Sequence, residues 1–206
     1  MLTINVLLEL EAWLMKTNPA LMEYLLPGLN QEQIDAALQD QPFCLSTEMQ
    51  ILYGWHNGTS SEEPPLDVEV DVLPGHYFLS FSEALPTETG LWIYNAIIKV
   101  SGDLIPPEVQ TQYCLEIFSD GAGGRYYVPC LPNNTDESPV LYYEPEYAVA
   151  TVRHNNISSM IKTWVACYQE KAFYITQEGY LDADYEHVRK IAQRLNPDVA
   201  YWFQKR

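Results

Sequence analysis

The stretch YCLEIFSDGAGGRYYVPC, residues 113–130, decides the fold class of this 206-residue chain. Apolar and aromatic residues fill both of its ends, and the glycine-rich run SDGAGG separates them. Two such runs on either side of a glycine-rich turn are typical of a β-hairpin. We therefore predict strands at 113–118 and 125–130. The run is not a dinucleotide-binding loop, because Tyr126 stands where that motif requires its third glycine.

Short strand patterns continue outward from the hairpin. They predict strands at 77–81, 139–143, 147–152 and 173–176. Strict alternation of acids with valines predicts a further extended segment over 67–72, with its three carboxylates on one side. The segment LWIYNAIIKV, residues 91–100, fits a helix by its spacing and a strand by its β-branched residues, so both interpretations stay open.

Helical spacing is found towards both ends of the chain. Ile4, Leu7 and Leu8 indicate an amphipathic first helix. Three later helix starts are marked by residues that cap helices: Asn30 (with Gln33 completing a capping box), Thr47 and Asn156. A last helix is predicted from about Asp184 by its apolar face: Val188, Ile191, Ala192 and Leu195. Helices at both ends with strands between them predict an α+β protein, in which helices flank a central, mostly antiparallel sheet.

The length and composition fit one domain over 1–206, with helical extensions at about 1–24 and about 177–206. A chain of this size buries about 70% of the surface that its unfolded form exposes, so its core needs no metal or disulfide. The cysteines are widely spaced and show no zinc-binding pattern. We interpret them as reduced, apolar core residues: Cys44, Cys114, Cys130 and Cys167.

The N-terminal stretch does not resemble a secretion signal. It lacks a basic start and a cleavage site, and it carries Glu9 and Glu11. No run reaches the roughly 18 apolar residues of a membrane span. We therefore expect a soluble, cytoplasmic protein in which the Asn57-Gly58-Thr59 motif carries no sugar. Instead, we predict that Asn57-Gly58 ends a helix, since both residues tolerate the left-handed conformation.

The net charge of −17 is unevenly distributed. No Lys or Arg occurs between Lys16 and Lys99, an interval that contains twelve acids, whereas nine basic residues nearly balance ten acidic ones from Arg125 onward. We therefore expect neither nucleic acids nor anionic membranes as ligands, since both require basic residues. A field of one sign favours a basic partner, although acidity alone also serves solubility.

None of the familiar catalytic or metal-binding patterns fits the chain. Asp67, Glu69 and Asp71 begin like a calcium loop, but Val72 and Phe78 occupy the positions that require Gly and Glu. The four histidines lack metal-ligand spacing, and no serine lies in a nucleophile elbow. Glu144 and Glu146 lie two residues apart around Pro145 and are compatible with an acid–base pair, but carboxylates that face solvent are far commoner. We expect no catalytic, cofactor-binding or metal-binding residue.

Several stretches together resemble the SMI1/KNR4 family, also called the SUKH superfamily. The family's entry helices are similar to LLPGLNQEQIDAALQ followed by LSTEMQILYGWHNG. Its strand leading to a short helix is similar to YFLSFSEAL. LEIFSDGAGGRYYV is similar to its central hairpin, and residues 138–175 to its closing strands and helix. The resemblance spans about Leu25 to Ile175. The chain departs from the family pattern at Leu45-Ser46, where Leu-Pro is usual.

The resemblance implies an α+β fold and no known enzymatic activity. Many bacterial members are similar to immunity proteins that neutralise toxins, often nucleases, and fungal relatives to regulators of cell-wall synthesis. Two functions follow as hypotheses: an immunity-type protein that binds a basic toxin, or a regulatory or scaffolding protein without a toxin partner. An enzyme with a site around His56, His154 or Glu144 is a third, weaker hypothesis.

For the first hypothesis, an acidic inhibitor would occupy the basic surface with which a nuclease holds phosphate. We predict that this surface contains the acids around the alternating segment and one aromatic anchor: Trp55, Glu62, Glu63, Asp67, Glu69 and Asp71. The sequence does not indicate an oligomeric state.

Overall fold

A five-stranded antiparallel sheet forms the centre of the protein. The computed structural model describes residues 1–60, 70–107, 110 and 113–204, and only the backbone of 88–93 and 103. Its strands are β3 Tyr77–Phe78, β4 Tyr113–Ser119, β5 Arg125–Cys130, β6 Val140–Glu144 and β7 Val149–His154. They follow one another across the sheet in the order β3-β4-β5-β6-β7, and every pairing is antiparallel.

The predicted hairpin is confirmed as β4 and β5. One carboxylate oxygen of Asp120 accepts hydrogen bonds from the amides of Ala122 and Gly124, both at 2.8 Å. Gly121 and Gly123 adopt positive φ angles of 70° and 114°, which L side chains rarely adopt. The turn therefore requires the glycine-rich composition from which it was predicted.

Seven α-helices surround this sheet in the described part of the chain, which is therefore α+β as predicted. They are α1 Ile4–Thr17, α2 Gln31–Leu38, α3 Thr47–Trp55, α4 Phe81–Ala84, α5 Glu88–Ser101, α6 Ile157–Gln169 and α7 Tyr185–Leu195. The predicted caps Asn30 and Asn156 are confirmed by side-chain hydrogen bonds to the first turns of their helices. Asp184, the predicted start of the last helix, is found to cap α7 in the same way. α3 is capped by Ser46, one residue before the prediction. None of these helices has the length and apolar character required to cross a membrane.

The sheet carries helices on both faces. On one face, Tyr94 and Ile97 of α5 pack in a small cluster with Tyr127, Leu141 and Ala150 of the sheet. Residues 91–100 are therefore helical, and their β-branched side chains do not indicate a strand. On the other face, α1, α3 and α6 form the main core with the alternate residues of the strands.

The chain ends belong to this main core. Leu7, Leu10 and Leu14 of α1 are fully buried in it, and Ile191 of α7 joins the same cluster. The helical extensions predicted at about 1–24 and 177–206 thus contribute core residues. The predicted face of α1 is partly wrong, because Ile4 and Leu8 are exposed while Leu10 and Leu14 are buried.

The region around YGWHNG differs from the prediction. α3 ends at Trp55, and residues 56–59 form strand β2 (His56–Thr59), which pairs with β1 (Leu25–Pro27). Asn57 does not end the helix. Its side-chain oxygen accepts a hydrogen bond from the amide of Phe81 at 2.8 Å and so fixes the start of α4. A helix stop and a helix-to-strand switch share the same local signals, so the pairing with β1 was not readable from this stretch.

Two other strand predictions changed. The segment predicted over 77–81 ends at Phe78, because Ser80 already begins α4 and its amide donates to Glu83 at 3.0 Å. Residues 70–72 do not form a strand, and 67–69 lie outside the described residues. A small hairpin pairs β8 (Phe173–Ile175), which was predicted, with β9 (Leu181–Ala183), which was not.

Candidate functional site

Most of the predicted partner-binding acids lie outside the described residues. This applies to Glu62, Glu63, Asp67 and Glu69. Asp71 is described, and it is half-buried just before the buried Val72. Their role as a binding surface therefore stays a prediction.

Trp55 lies in the core rather than at the surface. Its residue is only 7% exposed, and its indole Nε1 donates a hydrogen bond to Oε2 of Glu11 at 2.6 Å. Its ring also meets the edge of the His56 ring, with centroids 4.5 Å apart. An aromatic anchor for a partner must present its ring outward. The prediction for Trp55 is corrected accordingly: it joins α3 to α1.

The acids of the interval without basic residues do not all face solvent. Glu48 is fully buried and Asp71 is half-buried. The other acids of the interval whose side chains are described are exposed: Glu23, Glu32, Asp35, Asp40 and Glu83. The exposed acids retain the negative surface that the sequence predicts, whereas Glu48 has a structural role.

The Glu48 carboxylate caps the start of α6. Its Oε2 accepts hydrogen bonds from the amides of Ile157 at 2.9 Å and Ser158 at 3.3 Å, and its Oε1 accepts one from Leu2 at 2.6 Å. The first amides of a helix have no partner within the helix, and Asn156 supplies one only for Ser159. Burial raises the pKa of Glu48, and the three amides oppose that rise.

The described residues enclose a cleft of about 550 Å³. It lies between the sheet, α6, α7 and the 3-10 helix Ala200–Phe203. We call it the aromatic cleft, after six rings that line it: Tyr126, Tyr142, Trp164, Tyr185, Tyr201 and Trp202. Its volume falls within the range of about 300–1,000 Å³ that small-molecule sites occupy.

Arg153 lies among these rings. Its guanidinium carbon is 3.3 Å from the ring centroid of Tyr201, 4.9 Å from that of Tyr142 and 5.8 Å from that of Trp202. The guanidinium also forms an ion pair with Glu144 and donates to Thr151 at 3.0 Å. Both charged side chains are largely buried. The Glu144 carboxylate and the π faces of the rings thus stabilise the buried positive charge of Arg153.

The histidines of the aromatic cleft are neutral near pH 7. Burial lowers the pKa of His154 to about 3, against a smaller upward effect from Asn196, whose Oδ1 lies 3.4 Å from Nδ1. Burial also lowers the pKa of His76, whose Nε2 lies 3.3 Å from the hydroxyl of Tyr142. Burial raises the pKa of Tyr142 to about 12. The cleft thus presents uncharged polar groups beside its rings.

The residues of the enzyme hypothesis fall into two places. Glu144 and His154 both line the aromatic cleft, whereas His56 lies beside Glu11, with Nε2 and Oε2 3.4 Å apart. Glu144 is paired with Arg153. Glu146 is exposed, so it does not form a pair in the cleft. In the described ranges, no group of three or more His, Cys, Asp or Glu side chains is placed to hold a metal ion.

The aromatic cleft was not predicted from the sequence. Its rings come from β5, β6, α6, α7 and the C-terminal 3-10 helix, which are far apart along the chain. The adjacent aromatic residues Tyr126-Tyr127 were a usable signal, because neighbours on a strand point to opposite faces and both faces must then carry packed rings. The sequence matches no model of a known protein family and no curated protein.

Proposed function

We propose that this chain is a non-enzymatic protein-binding module of the SMI1/KNR4 type, and that it is an immunity-type protein which neutralises a basic, nuclease-like toxin in the cytoplasm. The observation that carries the proposal is the absence of Lys and Arg between Lys16 and Lys99. Such an interval gives half of the molecule a field of one sign, which attracts a basic partner and speeds its docking.

The placement of the described acids supports the proposal. Glu32 and Asp35 are exposed on α2, and Asp40 follows closely after this helix. Among the acids of the interval between Lys16 and Lys99 whose side chains are described, only Glu48 is fully buried. We assign the binding surface to the predicted acids and not to Trp55: Glu62, Glu63, Asp67, Glu69 and Asp71.

The test begins with the purified, tagged protein and an extract of its native host. We expect it to recover a basic protein, and we expect the recovery to fall as the salt concentration rises. The variant Asp67→Lys/Glu69→Lys/Asp71→Lys should weaken binding at least tenfold. The matched control places the same three charge changes on exposed acids of the balanced half: Glu146→Lys, Glu178→Lys and Asp198→Lys.

Equal losses in both triple variants would show that only net charge matters, and no loss in either would refute the acidic surface. A growth assay then separates the two functions. If the recovered partner stops bacterial growth and this chain restores it, the protein acts as an immunity protein. If the partner is harmless, the regulatory or scaffolding function replaces the immunity function.

A further inference from the structure

The aromatic cleft is a preformed site rather than a gap between loosely packed elements. Its outer wall, the 3-10 helix Ala200–Phe203, is held by hydrogen bonds at its backbone carbonyls and at its indole. Gln193 donates to the carbonyl of Trp202 at 2.8 Å, and Trp202 Nε1 donates to the carbonyl of Arg153 at 2.7 Å. Arg189 Nε donates to the same Trp202 carbonyl at 2.9 Å. A wall fixed in this way lowers the ordering cost of binding.

The charged side chains that line the cleft have partners within the protein. Arg153 pairs with Glu144, the Arg189 guanidinium donates hydrogen bonds to the carbonyls of Trp202 and Gln204, and Glu186 pairs with Lys190 at 2.9 Å at the exposed surface. A charged ligand would lose its hydration and would have to compete with these partners. An uncharged ligand would not meet that cost.

The rings determine the shape of the ligand. Tyr126 and Tyr142 lie with centroids 4.7 Å apart, and the Tyr126 centroid is 6.2 Å from that of Trp164. These rings already pack against one another, and together they form an aromatic wall along which a further flat ring can lie in offset-stacked or edge-to-face contact. His76 and Tyr142 add neutral polar atoms to the same wall.

We propose that the aromatic cleft binds an uncharged, planar aromatic small molecule of one or two fused rings. This proposal does not depend on the proposed function. Its test needs only the purified chain and no protein partner.

Three probes of matched shape test the charge argument: indole, indole-3-acetate and tryptamine, which are neutral, anionic and cationic at pH 7. We expect indole to bind with a dissociation constant on the order of 0.1–1 mM, a range set by its small size. Each charged probe should bind at least fivefold more weakly in calorimetric titrations. Failure of indole to bind at 5 mM, or tighter binding of a charged probe, would overturn the proposal.

Two matched variants test the location. Val188→Trp on α7 fills the cleft, because Val188 lines it, and it should abolish indole binding. Val100→Trp is the control, since Val100 is 65% exposed on α5, a helix that packs on the other face of the sheet. Indole binding should be unchanged in this control.

A measurement on the wild-type chain avoids dependence on the folding of Val188→Trp. Nuclear Overhauser effects from the indole protons should reach the methyl groups of Val188. Effects confined to residues outside the cleft would refute the location even if indole binds.

Discussion

Glu48 provides the sharpest test of how the two halves of the chain are joined. The substitution Glu48→Leu removes both carboxylate oxygens and puts an apolar side chain of similar size in their place in the core. It leaves the amides of Leu2, Ile157 and Ser158 without their acceptor in a buried place. The start of α6 then loses the partners that its first two amides need.

The magnitude follows from these contacts. A buried amide left without a partner costs about 1–3 kcal/mol, so the three amides together cost about 3–9 kcal/mol. Removing the buried charge offsets part of this cost, because burial raises the pKa of Glu48 and the ionised carboxyl is itself destabilising there. We therefore expect the free energy of unfolding to fall by about 2–5 kcal/mol.

Urea unfolding at pH 7, followed by circular dichroism and by tryptophan fluorescence, measures this loss. The transition midpoint should fall while the slope of free energy against urea stays constant. Glu83→Leu is the matched control: Glu83 also accepts a backbone amide, from Ser80 at 3.0 Å, but it is exposed. Its loss should stay under about 1 kcal/mol. Equal losses at the two positions would refute the role assigned to Glu48.

Three further predictions concern the packing of the core. Gly58→Ala should lower the free energy of unfolding by about 2–4 kcal/mol, because φ at Gly58 is +80° and an added Cβ would lie 2.3 Å from the amide nitrogen of Ser80. Gly75→Ala is the control in the same urea assay. Gly75 has a φ of +71° but no atom within 4 Å of an added Cβ, so this substitution should cost about 1 kcal/mol. Burial lowers the pKa of His154 to about 3 in the folded protein, so its contribution to stability is complete above pH 6.5 and is lost as the pH falls towards 3. In acid titrations, the free energy of unfolding should therefore fall less steeply with pH in His154→Gln than in the wild type. Identical slopes of stability against pH would contradict this assignment. A thiol reagent should label only the half-buried Cys44 in the native protein and all four thiols in denaturant. Only the thiolate reacts, and burial raises the pKa of the other three thiols: Cys114, Cys130 and Cys167. Labelling of more than one thiol in the native protein would contradict their burial.

Local signals in the sequence were sufficient for much of the secondary structure. The hairpin at 113–130 was predicted because its turn needs glycines at positive φ, and those glycines are visible in the sequence. α6 was predicted because its cap, Asn156, lies next to a regular apolar spacing, and α7 was predicted from its apolar spacing alone. In each case, the residues that determine the element lie within the element or directly beside it.

Residues 91–100 and α1 mark the limit of such signals. The apolar residues of 91–100 suited two elements, and the helix forms because Tyr94 and Ile97 pack against the sheet. In α1, the face predicted from Ile4, Leu7 and Leu8 was partly wrong, because packing buries Leu7, Leu10 and Leu14. The choice depended on partners that are distant in the chain.

The candidate sites show the same division. Composition and order along the chain establish that one half of the protein is acidic, because charge adds up whatever the fold. The position of each side chain depends on the packing. Glu48 is buried because it meets the start of α6, more than 100 residues away along the chain. Trp55 is buried because it meets α1. The aromatic cleft needs rings from five separate elements, so it arises only when long-range packing brings those elements together.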